Sequence, residues 1–66
     1  MEIVINGESR QVAEGISVAE VLQMLDLAGR RVAVEVNLDI VPRSEHETRK
    51  LRPGDRVEVV QAIGGG

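Results

Sequence analysis

Residues 17 to 25 carry the helical signal of this chain, and it decides how everything around it must pack. Ser17-Val18-Ala19-Glu20 is a capping box: the serine hydroxyl satisfies an orphan backbone N–H, and the glutamate reaches back to the cap. Val18, Val21, Leu22 and Leu25 follow at i, i+3, i+4 and i+7, which makes one apolar stripe on an amphipathic helix of about ten residues. Gly29 is the expected stop. Arg30 and Arg31 come just beyond it, where positive charge suits the C-terminal end of the helix dipole. A lone stripe of this kind must be buried across another layer, and a sheet is the layer the rest of the chain supplies.

The flanking segments alternate. Glu2 to Asn6 reads as a strand with Ile3 and Ile5 on one face. Asn6-Gly7 supplies a residue pair that tolerates positive φ in a tight hairpin, and Ser9 to Ala13 returns as a second strand with Val12 on the face of Ile3. Val32 to Asn37 places three valines on one side. Ile40-Val41-Pro42-Arg43 continues extended, because proline biases its predecessor toward β geometry. Residues 44 to 52 are polar and charged, a loop with one turn of helix and a short edge strand, and Pro53-Gly54-Asp55 makes a turn. Arg56 to Ala62 is the last strand, with Val57 and Val59 inward and Glu58, Val60 and Ala62 outward. The order ββαβ, a short β and β, with the last strand central beside the first, predicts an α+β fold. It is a mixed four- to five-stranded sheet packed on one helix, the β-grasp (ubiquitin-like) arrangement. Residues 1–62 form a single domain, and 63–66 a flexible C-terminal glycine tail.

Composition removes most functions. A chain of 66 residues buries only about 60% of its unfolded surface, enough for one core worth about 3–5 kcal/mol that leaves little room for an enclosed substrate pocket. The absence of cysteine excludes a disulfide framework, a thiolate zinc site and a cysteine nucleophile. The absence of Phe, Tyr and Trp removes any stacking platform for single-stranded nucleic acid. Eleven acids against eight bases, a net charge of −3, work against phosphate-backbone binding. The lone His46 cannot build a multi-histidine metal site or a Ser-His-Asp constellation. Met-Glu-Ile-Val-Ile-Asn at the N-terminus is neither a secretory signal nor a membrane span. The expectation is a cytoplasmic non-enzyme, monomeric when free, with no nucleic-acid or membrane partner.

Four features have chemical potential. Gly64-Gly65-Gly66 follows a strand, and a tail without Cβ atoms can thread a narrow channel. Its reactive group would be its own carboxylate, an anion at neutral pH since such groups titrate at roughly 3.3–3.7. Attack on it requires activation, for example to an acyl-adenylate, by machinery this chain lacks. Val4, Val60 and Ala62 share outward parity on neighbouring strands, and with Ile63 they outline a docking patch leading to the tail. His46 lies between Glu45 and Glu47, which looks like acid–base chemistry but reads better as a solvated surface segment. Arg43, Arg49, Lys50, Arg52 and Arg56 crowd the C-terminal half, where a solvated charge pattern is favoured over partner steering.

Taken as a set, these residues resemble the sulfur carrier proteins of thiamine biosynthesis, the ThiS family. The likeness covers nearly the whole chain. It rests on Gly15-Ile16-Ser17-Val18, Val36-Asn37, Ile40-Val41-Pro42-Arg43, Leu51-Arg52-Pro53-Gly54-Asp55-Arg56-Val57-Glu58 and the ending Val60-Gln61-Ala62-Ile63-Gly64-Gly65-Gly66. The resemblance implies that an E1-like adenylyltransferase of the ThiF type binds the sheet face and adenylates the carboxylate of Gly66. The chain itself would bind no cofactor; ATP and Mg would belong to that partner, with Gly64 and Gly65 threading into partner active sites. Sulfur from a cysteine desulfurase route would displace AMP and leave a thiocarboxylate, the donor for a thiazole synthase of the ThiG type. Two terminal glycines are the commoner ending in the family. With three here, the reading keeps Gly66 as the reactive residue, without trimming to Gly65. The alternatives are a sulfur carrier for molybdopterin synthesis, a ubiquitin-like protein modifier, and a β-grasp interaction module with an inert tail.

Overall fold

The computed structural model describes residues 1–61. Their elements run β1 (Glu2–Ile5), β2 (Glu8–Gln11), α1 (Val18–Met24), β3 (Val32–Val36), β4 (Asp39–Val41), a 3-10 turn η1 (Arg43–Glu45) and β5 (Arg56–Gln61). The strands form one sheet in the order β2-β1-β5-β3-β4. As the alternation predicts, the last strand is central: it lies parallel to β1, with Val4 beside Arg56, and antiparallel to β3 from Val36–Val57 to Val32–Gln61.

Alternation settles which face is buried. Ile3, Val34, Val36 and Val57 are all but inaccessible on the inner face, and Val18 and Val21 of α1 pack against them. Val12 joins that face, as expected, because the Met1 amine donates to its carbonyl at 2.7 Å and its N–H donates back at 2.8 Å. Two hairpins close through residue pairs with positive φ, Asn6 (49°) with Gly7 (83°) and Asn37 (51°) with Leu38 (70°). This is the turn whose twist matches that of the flanking strands.

The capping box forms as its spacing predicts. Glu20 N–H donates to Ser17 Oγ at 3.1 Å, and Ser17 N–H donates to Glu20 Oε1 at 3.0 Å. The helix end is different from the expectation. α1 has seven residues and stops at Met24, five positions before Gly29. Leu27 N–H returns to Leu22 C=O at 2.7 Å and Asp26 N–H to Gln23 C=O at 3.0 Å, with Asp26 at φ 61°. This is a Schellman closure with an aspartate in the left-handed position. Its physical cause is Leu27. One more turn of helix would rotate it roughly 200° away from Leu25, whereas the closure lets both pack against the core. Gly29 (φ 78°) serves the following turn, closed by Arg30 N–H to Leu27 C=O at 3.0 Å.

The domain boundary expected between residues 62 and 63 lies outside the described residues. Among the described residues no helix is long and apolar enough to cross a membrane.

Candidate functional site

The candidate site is the outer face of the sheet together with the end of β5. Of the residues singled out for it, Ala62, Ile63, Gly64, Gly65 and Gly66 lie outside the described residues. Val4 and Val60 do not. β5 is paired with β3 up to its last described residue, Gln61 opposite Val32, and on the β1 side it is held as far as Val59 by the side chain of Asn6. The strand that precedes the glycines is therefore fixed laterally rather than frayed.

Val60 faces outward and is 64% exposed, as its parity predicts. Val4 is outward but half-buried, and it is not a direct neighbour of Val60. In the parallel register Val4 stands beside Arg56, so Val60 lies four residues farther along, roughly 13 Å at strand rise. The cross-strand partner of Val60 is Ala33. Ile40, 75% exposed, stands opposite Glu35 on the outer side of β3. The apolar outer face is thus Val60, Ala33 and Ile40, interrupted by the Glu35–Glu58 pair. The signal for Ala33 was present in the chain, since it alternates with the inward valines of β3. Its juxtaposition with Val60 depends on register.

His46 is 8% exposed, so the expected solvated segment is corrected at this position. Its Nε2 lies 3.1 Å from Val41 O. Its carbonyl accepts from Ala19 N–H at 2.8 Å, while Glu45 and Glu47 remain exposed. The burial follows from helix-end accounting. α1 begins with donors that lack intrahelical partners. Val18 N–H goes to Arg49 C=O at 3.0 Å, Ala19 N–H to His46 C=O, and Glu20 N–H to Ser17 Oγ. The polar segment from His46 to Arg49 therefore seats the helix start. The Ser17 N–H, followed by the Ser17 hydroxyl, stabilises the Glu20 carboxylate and lowers its pKa below the ordinary value of 4.5, with Lys50 adding a smaller attraction. Among the described residues no group of three metal-ligating side chains comes together.

Comparisons with known proteins point the same way. The model of the ThiS family matches residues 3–66. The sulfur carrier protein ThiS of Escherichia coli is 35% identical over 66 residues, covering all of both chains. The crystal structure of the thiamine biosynthesis protein ThiS from Geobacter metallireducens superposes with a TM-score of 0.84 at 33% identity, again over the whole of both chains. A thiazole synthase from Paramagnetospirillum magneticum is 44% identical over 66 residues, and this chain spans 20% of its length.

Proposed function

This chain belongs to the ThiS family, and from that premise we propose that it is a sulfur carrier of thiamine biosynthesis whose reactive group is the Gly66 carboxylate. The observation that carries the reading is the position of β5. The strand preceding residues 62–66 is the central one, hydrogen-bonded to β1 and β3, which suits a rigid handle presenting a reactive end.

The chemistry follows from the carboxylate. Its charge repels nucleophiles and oxide is a very poor leaving group, so the first step makes a better one. A carboxylate oxygen of Gly66 attacks the α-phosphorus of ATP on a ThiF-type enzyme, and pyrophosphate leaves. A sulfur nucleophile from a cysteine desulfurase route then attacks the acyl carbon and AMP departs, giving the C-terminal thiocarboxylate once any acyl disulfide has been reduced by a thiol. ATP and Mg sit in the partner. The chain is a cytoplasmic co-substrate rather than a catalyst, and Gly64 and Gly65 admit it to narrow active sites. Thiazole synthases that contain a segment like this chain support a ThiG-type enzyme as the sulfur acceptor. The outer face at Val60, flanked by Val4, is the docking surface, and Ala62 and Ile63 are the further residues assigned to partner contact.

The test is ATP–pyrophosphate exchange with the ThiF-type adenylyltransferase. Wild type should support exchange, and a variant with residues appended after Gly66 should not; normal exchange by the appended variant would sink the mechanism. Intact mass of the protein purified from cells should show exchange of one oxygen for sulfur. High-mass adducts in its place would identify a protein modifier.

A further inference from the structure

A cleft of about 280 Å³ opens between the end of α1, the start of β3 and η1. It exists because β4 is short. β4 pairs with Val34, Glu35 and Val36, and at Pro42 the chain turns off into η1, so Val32 and Ala33 have no strand beside them on that side. Leu22, Val32 and Ala33 give the cleft aliphatic walls, and Arg30, Arg31 and Arg43 line it. Arg30 and Arg31 are brought there by the early helix stop and the Gly29 turn, not by the helix dipole.

In a chain of net charge −3, three arginines lining one cleft are a local reversal of sign. Among the described residues none of the three takes part in a side-chain hydrogen bond. The cleft also has a functional address. Val32 pairs with Gln61, the last described residue of β5, so the cleft stands at the end of the sheet where residues 62–66 follow.

We infer that this cleft receives an acidic segment of the enzyme that activates the tail, with an aliphatic side chain against Leu22 and Val32 and carboxylates on the arginines. The inference rests on the proposed reading that an adenylating partner engages Gly66. Arginine and carboxylate pair with directional, bidentate geometry, and complementary charge at an interface sets encounter rate and register. A compact phosphate fits less well, because the arginines border aliphatic walls. Glu47 borders the adjoining end of the groove, so the acidic segment enters from the β3 side.

The experiment is Arg30→Glu/Arg31→Glu, two exposed positions outside the core, assayed by ATP–pyrophosphate exchange with the ThiF-type enzyme of the same organism. KM for the carrier should rise at least about tenfold while kcat stays within about twofold, and the salt dependence of KM should weaken. Arg30→Lys/Arg31→Lys should stay within about threefold of wild type, since it keeps the charge. A wild-type KM in the charge-reversed variant, or a loss in kcat alone, overturns the inference. So does competitive inhibition by inorganic phosphate at constant ionic strength. Failure of the tail mechanism looks different. A chain ending at Gly64 should lose exchange yet bind the enzyme in calorimetry, with an affinity that still drops on reversal of Arg30 and Arg31. Binding with no exchange by wild type would refute the Gly66 reading and leave the cleft standing.

Discussion

The side chain of Asn6 replaces a strand residue beside Val59, 53 positions away: Val59 N–H donates to Asn6 Oδ1 at 2.8 Å, and Asn6 Nδ2 donates to Val59 O at 3.3 Å. β1 ends at Ile5, level with Val57, so the amide carries the ladder one step farther along β5. Asn37 acts in the same manner at the other end. Arg56 N–H donates to its Oδ1 at 2.9 Å, its own N–H donates to Arg56 C=O at 2.8 Å, and its Nδ2 reaches Asp55 Oδ1 at 3.0 Å. Both asparagines open a hairpin turn with positive φ, a conformation their short polar side chains tolerate. The tips of the two hairpins thus bracket the central strand.

Asn6→Ala loses both bonds and forces a Cβ-bearing residue without a compensating amide into φ 49°, an expected cost of about 2–3 kcal/mol. Asn6→Gly keeps the turn and removes only the bonds, at about 1–2 kcal/mol. Hydrogen exchange at the Val59 amide should accelerate in both. Unchanged protection at Val59 in a folded variant would show that the side chain contributes nothing there.

Leu38 is 83% exposed and sits at φ 70°, in a turn position that favours glycine. Leu38→Gly should stabilise the domain by about 1 kcal/mol, since relief of the left-handed strain exceeds the entropy lost with glycine. Denaturant unfolding should show a higher midpoint at constant slope. A lower midpoint would mean that the leucine side chain holds a contact worth more than the strain.

Glu20 supplies a pH dependence with a definite sign. Its folded pKa lies below 4.5, so the stability it contributes is present above the unfolded pKa and is lost as pH falls through the folded one. The advantage of wild type over Glu20→Gln should therefore fade as pH drops from about 6 to about 3. Side-chain carboxyl NMR should place the Glu20 midpoint below the ordinary value, and Ser17→Ala should raise it while costing about 1 kcal/mol of cap. A Glu20 midpoint at or above 4.5 in the wild type would contradict the capping-box account.

Val60→Asp tests the outer face. The position is solvent-exposed on a strand whose inner neighbours are untouched, so folding should change by no more than about 0.5 kcal/mol. Affinity for the ThiF-type enzyme should fall about tenfold or more if Val60 anchors the contact. Unchanged affinity in the folded variant would remove this face from the docking surface.

What could be read from the chain was whatever short-range physics decides. The capping box, the inward valines, the Asn6-Gly7 turn and the Pro53-Gly54 turn each depend on neighbours a few residues apart, and each formed. The helix stop did not follow its strongest local signal, because burial of Leu27 outweighed the conformational cost of a left-handed Asp26. His46 looked solvated since its sequence neighbours are charged; the N–H of Ala19, which has no partner within the helix, and the Val41 carbonyl draw it inward. Val4 and Val60 share a face by parity, but the spacing between them is a property of the β1–β5 register, which joins opposite ends of the chain. Arg30 and Arg31 were visible only as charges near a helix end. The cleft they border appears when β4 stops short.

The placement of β5 also has a mechanical side. If an enzyme draws the residues after Gln61 into a channel, the load falls along a strand bonded laterally to β1 on one flank and β3 on the other. Tension in that direction shears many ladder bonds at once, where an edge strand would unpeel them in succession. A domain built this way can be tugged by its end and stay folded, so grip on the tail is transmitted to the whole body.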